Sequence, residues 1–275
     1  MSQIQIPNKL SQMLTICRYE LLKSLRGKKI LGILSIAVGV SLLLVLVPEI
    51  TGIDPPNSVR EFFEIPLGFI FFILVITVAL FASSSIISEF HERTGYSLFI
   101  NPVTKETIWF GKFLATEIIS FAVIGIFYGI ISIRAALIYD DLPNEVAQSF
   151  VFSLVVVTML TSISFFISSF SRGPTSAAVI VFLLFMLILP MIDQFVMSFG
   201  EVKPWFSPTF ARGIVENVMI VPYPIDLEPG ELPKGPFDFH RFVPYIDDSL
   251  MVMISYILIF SVASIYLFKK REMLN

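Results

Sequence analysis

The residues most able to do chemistry in this sequence do not form a catalytic or metal-binding motif. His91 and Glu92 begin like the zinc motif HExxH, but Gly95 stands where the second histidine would be. Gly111 and Lys112 lack the earlier glycine and the following Ser or Thr of a phosphate-binding GxxxxGK(S/T) loop. With two histidines and one cysteine, the sequence predicts no enzymatic site, no metal site and no cofactor bound by this chain.

The composition points to a membrane as the solvent of this chain. Of its 275 residues, 55% are hydrophobic and 15% are charged, whereas soluble domains have about 45–50% apolar and about 25% charged residues. Apolar runs long enough to cross a bilayer predict six spans, at 30–47, 67–87, 113–138, 150–170, 175–199 and 249–268. We therefore expect an all-α polytopic membrane protein with six transmembrane helices. Buried soluble helices are the alternative for the third and fifth runs.

The distribution of positive charge predicts the orientation of these spans. Of the 19 lysines and arginines, 13 fall on the side that holds both termini, and positive residues are retained on the cytoplasmic side. We expect a multi-pass protein of the plasma membrane with both termini in the cytoplasm. The net charge of −3 gives no attraction for nucleic acid.

Residues 1–29 predict an amphipathic helix before the first span. Leucines recur at helical spacing while basic residues occupy the other faces. This pattern favours a helix lying in the plane of the inner leaflet, with its basic residues near anionic headgroups. A cytosolic helix packed on another subunit is the alternative.

The loop 88–112 carries more large apolar side chains than a solvated loop needs, which indicates a protein contact. Glu89 and Arg93 have the spacing of an ion pair on one helical turn, and Thr104 is placed to cap a new helix. From Thr104 to Tyr139 there is no proline. A helix of that length measures roughly 54 Å, so we expect it to project from the bilayer. Trp109 then falls at the headgroup level, which favours ordinary interfacial anchoring.

Small and hydroxylated residues mark two further features of the spans. Gly125 and Gly129 form a GxxxG pattern, and Ser and Thr cluster within 158–171. Both are packing signals first, with a polar translocation surface as the alternative. The outer loop 200–248 is rich in proline and acidic residues. Its short apolar stretches favour re-entrant or interfacial helices, and a proline-rich disordered lid is the alternative.

Taken together, these features resemble the membrane subunit of an ABC transporter of the type-2 permease family. The resemblance rests on the run Ile87 to Gly95, on Asn101 to Lys105 and on Gly111-Lys112 entering the third span. It also rests on the basic in-plane helix, on the turn at Ser169 to Gly173 and on Ser207-Pro208 before the last span. The matching pieces cover nearly the whole chain.

The resemblance implies an ATP-driven exporter with a second copy or paralogue of the permease and separate ATPase subunits that bind ATP and Mg. The loop 88–112 would be the coupling helix that docks on the ATPase, through Glu89, Arg93, Tyr96, Leu98, Phe99 and Ile100. The second and fifth spans would face the pathway, with candidates Phe69, Phe72, Ser83, Phe182, Phe185 and Met186. No importer loop signature occurs, which favours export.

Two other functions stay open from the sequence. One is a membrane assembly or maturation factor without transport, for example one that serves copper-enzyme maturation. The other is an intramembrane enzyme, which is disfavoured because no cluster of acids, His or Cys occurs at span depth. Apolar and aromatic residues in the second and fifth spans hint at an amphiphilic or lipid-linked substrate, although helix packing explains them equally well.

Overall fold

The computed structural model describes residues 8–87, 103–226 and 242–270. The residues predicted to dock on an ATPase lie outside the described residues; they are Glu89, Arg93, Tyr96, Leu98, Phe99 and Ile100. The described helices are α1 (Lys9–Arg26), α2 (Lys29–Thr51), α3 (Val59–Ser85), α4 (Lys105–Tyr139), α5 (Asn144–Phe170), α6 (Pro174–Leu183), α7 (Leu189–Gly200), α8 (Pro208–Ala211), α9 (Ile214–Asn217) and α10 (Ile246–Lys270).

Six helical segments are long and apolar enough to cross a bilayer, which confirms the predicted fold class. They are α2, α3, α4, α5, the segment formed by α6 and α7, and α10. Each extends beyond at least one end of its predicted span, because hydropathy marks the part of a helix that lies in hydrocarbon while polar residues continue the helix outside it. Throughout the described part of the chain, every regular element is helical.

The bundle is built around α3 and α5. The most apolar windows of these two helices are 67% and 61% buried within the chain, against 17% for α6–α7 and 11% for α10. The outer helices therefore leave most of their apolar surface for lipid or for another subunit, since no hydrophobic cost opposes this exposure in a membrane.

Two ends of the bundle can be told apart by their contacts. At one end, Lys105 donates to the Lys269 carbonyl oxygen at 3.0 Å, so the start of α4 meets the end of α10. We call this the basic end. At the opposite end, ion pairs join Arg60 to Glu145 at 2.8 Å and Arg134 to Glu49 at 2.9 Å.

The fifth span changes its helical pitch in the middle. A π-helical turn at Leu184–Ile188 separates α6 from α7, and Pro190 follows it. The proline ring has no N–H to donate and would collide with the carbonyl four residues earlier in a regular helix. The wider turn accommodates that carbonyl, and such turns are frequent at functional sites.

The described part of the outer loop folds back against the bundle. Its short helices α8 and α9 carry buried residues, and the Arg212 guanidinium between them lies 4.0 Å from the Phe71 ring centre. Asp226 fixes the end of this segment by accepting from the Val243 amide at 2.6 Å and from Lys203 at 3.2 Å. The negative charge of Asp226 also raises the pKa of the adjacent Tyr245.

A buried hydroxyl cluster joins α4 to α5 and α9. The Tyr128 hydroxyl lies 2.8 Å from Ser149 Oγ and 2.9 Å from Ser153 Oγ. Ser149 Oγ in turn donates to the Val215 carbonyl at 2.6 Å. Most other hydroxyls of α5 donate to carbonyls of their own helix, which agrees with a packing role for its serines.

Replacing Tyr128 with Phe should lower the free energy of unfolding in detergent by about 0.5–2 kcal/mol, because it removes hydrogen bonds from a buried site. The matched control is Tyr266→Phe on the exposed face of α10, where the side chain is 62% exposed. Denaturant titration of both variants measures the difference. Equal stability of the two variants would show that the cluster contributes nothing.

Candidate coupling site

The described chain enters and leaves the loop 88–102 at two fixed points. Before the loop, the Ile87 amide donates to Ser168 Oγ of α5 at 3.2 Å, and Ile87 is buried. After it, Thr104 caps α4 by accepting from the Thr107 amide at 3.3 Å, as the sequence predicted. A force applied to the loop therefore reaches α5 and α4 directly.

The first turns of α4 form what we call the α4 junction, defined by Glu106, Trp109, Gly111 and Lys112. This part of α4 belongs to an unbroken helix of 35 residues, about 52 Å long. Glu106 forms an ion pair with Lys269 at the end of α10. The pair is half exposed, so its contribution to stability is small, but it fixes the register of the two helix ends.

Trp109 joins three helices in the interior of the junction. Its Nε1 donates to Ser264 Oγ of α10 at 2.9 Å, and Ser264 Oγ lies 3.1 Å from Ser169 Oγ of α5. Its ring stacks on Phe113 with centroids 4.8 Å apart and meets Phe165 edge-on at 5.4 Å. The side chain is 1% exposed. Interfacial anchoring was therefore the wrong interpretation: the indole is buried between helices, where its N–H finds a partner.

Gly111 allows α1 to cross α4 at very short range. A Cβ atom at this position would lie 2.8 Å from the Ile16 Cβ and 2.9 Å from the Met13 carbonyl oxygen. Cys17, on the same part of α1, is buried. Burial and the negative charge of Glu20 raise the pKa of its thiol, which keeps it in the unreactive protonated form.

Lys112 supplies the polar half of the same contact. Its side chain is 1% exposed and forms an ion pair with Glu20 of α1. A buried ammonium is costly to dehydrate unless a carboxylate neutralises it, so the pair holds the two helices together. The adjacent Gly111 and Lys112 thus both hold α1 against α4. Gly111 has no side chain to obstruct the crossing, and Lys112 supplies the charge that pairs with Glu20.

A further carboxylate lies between α4 and α5, deeper than the junction. Glu117 accepts a hydrogen bond from Thr158 at 3.2 Å and is buried. Its Oε1 has no hydrogen-bond partner among the described residues. Within residues 8–87, 103–226 and 242–270, no three His, Cys, Asp or Glu side chains lie close enough together to hold a metal ion.

The predicted pathway residues differ in their exposure. Phe69, Phe72 and Phe182 are exposed, and the rings of Phe72 and Phe182 meet edge-on with centroids 6.5 Å apart. Ser83 and Phe185 are buried within the chain, while Met186 is half-buried. The structure brings α3 and α6 together as one surface, and the role of these residues in transport stays a prediction.

Sequence reasoning missed the partners of the α4 junction. Lys112 and Glu20 are 92 residues apart, and Trp109 and Ser264 are 155 residues apart, so no local pattern connects them. One usable signal was the Gly111-Lys112 pair itself, because a glycine beside a lysine on an apolar helix suggests a close crossing next to a charged contact.

A comparison with known families agrees with this architecture. The family described as "ABC-2 family transporter protein" matches residues 20–211, which is more than two thirds of the chain and includes the α4 junction. No curated protein matches the sequence. The bundle and the match define a component of a membrane transport system that is not itself catalytic. The chain belongs to the ABC-2 family of membrane transporter proteins.

Replacing Gly111 with Ala should loosen α1 from α4, because the new methyl group overlaps Ile16. Overpacking of this kind costs about 1–3 kcal/mol. Since Cys17 is the chain's one cysteine and is buried, its rate of maleimide labelling in the folded protein reports the docking of α1. We expect faster labelling in this variant.

The matched control for this substitution is Gly125→Ala in the same helix, where a Cβ would meet no heavy atom within 4 Å. Its labelling rate should equal that of the wild type. Labelling of Gly111→Ala at the wild-type rate would contradict the close crossing of α1 and α4.

Proposed function

We propose that this chain is the permease subunit of an ATP-driven ABC exporter in the plasma membrane. Membership of the ABC-2 family and six membrane-spanning helices support a permease. ATP and Mg would bind to a separate ATPase subunit, and a second copy or a paralogue of this chain would complete the transporter. The chain itself would contribute the pathway and the coupling surface.

The observation that carries this proposal is the α4 junction. The loop 88–102 leads into α4, whose length of about 52 Å exceeds the ~30 Å hydrocarbon core. A loop placed there receives a displacement outside the membrane and passes it to a helix that crosses the whole bilayer. This is the geometry that a motor subunit on one side of the membrane requires.

Coupling would then be a two-state mechanical process. Closure of the ATPase subunits moves the loop, and the loop moves α4 together with the helices fixed to its start. Glu106 and Trp109 carry the motion to α10, and Lys112 carries it to α1. Packed helices shift as rigid bodies between discrete arrangements, so a small displacement at the loop becomes a change of the bundle.

The pathway would run along the surface of α3 and α6. Phe69, Phe72 and Phe182 are exposed there and would face the second permease subunit. Ser83 and Phe185 would reach a substrate only when α3 and α6 separate. An aromatic surface of this kind suits an amphiphilic substrate with a large apolar part.

The position of basic residues supports a cytoplasmic basic end. The start of α4, the carboxyl end of α10 and the in-plane helix α1 meet there, bringing together Lys105, Lys112 and Lys269. Positive residues are retained on the cytoplasmic side of membranes. This orientation places the loop 88–102 and both termini in the cytoplasm, where ATP is available.

The double substitution Phe99→Ala and Glu89→Ala should abolish co-purification of the ATPase and Mg-dependent ATP hydrolysis by the purified complex. The reason is that both side chains lie in the loop that would dock on the ATPase. The measurement is ATP hydrolysis per mole of permease after affinity purification from membranes.

A control with the same residue types is Phe199→Ala with Glu201→Ala at the opposite end of the bundle. Phe199 is 76% exposed there and Glu201 follows α7 directly. The control should keep the bound ATPase and its activity. If the wild-type particle hydrolyses no ATP, or if the loop variant keeps full activity, the proposed function is wrong.

A further inference from the structure

Glu117 is a buried acidic residue that the proposed coupling scheme does not use. It lies on α4, about 18 Å along the helix from its first residue, and it is 5% exposed. Other contacts between α4 and α5 enclose it on both sides along the helix. Phe113 meets Phe165 edge-on at 5.4 Å before it, and the hydroxyl cluster of Tyr128 lies after it. A charge at such a position is costly unless another group neutralises it.

Among the residues that the structure describes, no cation pairs with Glu117. Lys112, five residues earlier on α4, forms its ion pair with Glu20 of α1. The membrane-spanning parts of α2, α3, α5 and α10 carry no charged residue; they are 30–48, 65–87, 146–171 and 249–268. The groups that interact with the Glu117 carboxyl are the hydroxyls of Thr158 and Thr161, which are uncharged. An ionised carboxylate would therefore be buried without a counter-charge.

The contacts of Thr158 favour a neutral carboxyl group. Thr158 Oγ lies 2.9 Å from the Leu154 carbonyl oxygen and 3.2 Å from Glu117 Oε2. A hydroxyl group has one proton to donate and two lone pairs that accept. If Glu117 is ionised, the two oxygens compete for that single proton. If Glu117 carries a proton on Oε2, it donates to Thr158, and Thr158 donates to Leu154, so both contacts become hydrogen bonds.

The second carboxyl oxygen supports the same assignment. Thr161 is fully buried and faces the Glu117 carboxyl group. Within the described chain, neither Glu117 Oε1 nor Thr161 Oγ has a partner at hydrogen-bond geometry. An unpaired oxygen costs much less free energy in the neutral carboxylic acid than in the carboxylate, because the acid carries no net charge.

We propose that Glu117 is a proton-binding site of the bundle, and that its carboxyl group holds a proton while α4 and α5 are packed together. The bound proton stabilises the contact between these two helices. Its loss would leave a charge that neither helix neutralises, so α4 and α5 would separate there to admit water. The proposal concerns the chain alone and does not require the ATPase.

Infrared difference spectroscopy of the purified full chain in detergent tests this directly. A protonated carboxylic acid has a C=O stretch that carboxylates lack and that shifts in D2O. At neutral pH we expect this band in the wild type and its loss in Glu117→Gln, which keeps the shape and removes the acid. The matched control is Glu106→Gln on the same helix, where the half-exposed carboxylate pairs with Lys269. The control should keep the band.

The same spectra distinguish a proton from a metal cation. They are recorded in sodium chloride and in choline chloride, whose cation is too large for a closed helix contact. An unchanged band supports the proton. A band that appears only in choline chloride would assign the site to sodium, and equal spectra of the wild type and Glu117→Gln would show an ionised carboxylate. Either result overturns the proposal.

A second variant tests the hydrogen bond to Thr158. In Thr158→Val the band should persist but shift in frequency, because the carboxyl group loses the hydroxyl to which it donates. The matched control is Ser162→Ala on the same helix, whose hydroxyl donates to the Thr158 carbonyl oxygen at 2.8 Å. The control should leave the frequency unchanged. An unshifted band in Thr158→Val would contradict the proposed bond.

Stability measurements supply a readout that needs no spectral assignment. Above about pH 5 the unfolded chain has released the Glu117 proton, whereas the folded chain retains it, so stability should fall as the pH rises. From pH 5 to 7, the unfolding equilibrium constant of the wild type should rise relative to that of Glu117→Gln by up to about ten-fold per pH unit. Parallel pH profiles of the two proteins would overturn the proposal.

Discussion

The architecture at the basic end depends on one buried ion pair, between Lys112 of α4 and Glu20 of α1. An ammonium group that is 1% exposed costs several kcal/mol in dehydration unless a carboxylate lies against it. Glu20 can reach it only because Gly111, without a side chain, lets α1 approach within contact distance of α4. Neutralisation of Lys112 and the steric fit at Gly111 therefore both require α1 to lie against α4. Both are lost when α1 moves away from α4.

The remaining contacts at the start of α4 extend this constraint to other helices. Trp109 connects α4 with α10 and α5, and Ile87 fixes the preceding helix to α5. When α4 is displaced, its neighbours must move with it, because hydrogen bonds and buried aromatic contacts join them to α4. Closely packed interiors respond by moving whole helices, so a displacement at the start of α4 reaches the helices that pack against it.

The sequence predicted the parts of this structure that depend on local pattern. Hydropathy gave the six spans, and Thr104 predicted the start of α4 because a cap is a property of a few adjacent residues. The sequence could not predict tertiary partners. The residues around Trp109 would be the same whether its indole lay among headgroups or bonded to Ser264. The Gly125 and Gly129 pattern predicted close packing, yet a Cβ at either position would meet no heavy atom within 4 Å in the described chain.

The most direct test of this account reverses the charges of the buried pair, using Lys112→Glu, Glu20→Lys and the two together. Removing one partner of a buried pair costs about 3–5 kcal/mol, so each single variant should label at Cys17 more than about a hundred-fold faster than the wild type. The double variant should recover most of the protection, since the pair is restored with opposite sign. Single variants that label at the wild-type rate, or a double variant as reactive as either single one, would contradict the central role of this contact.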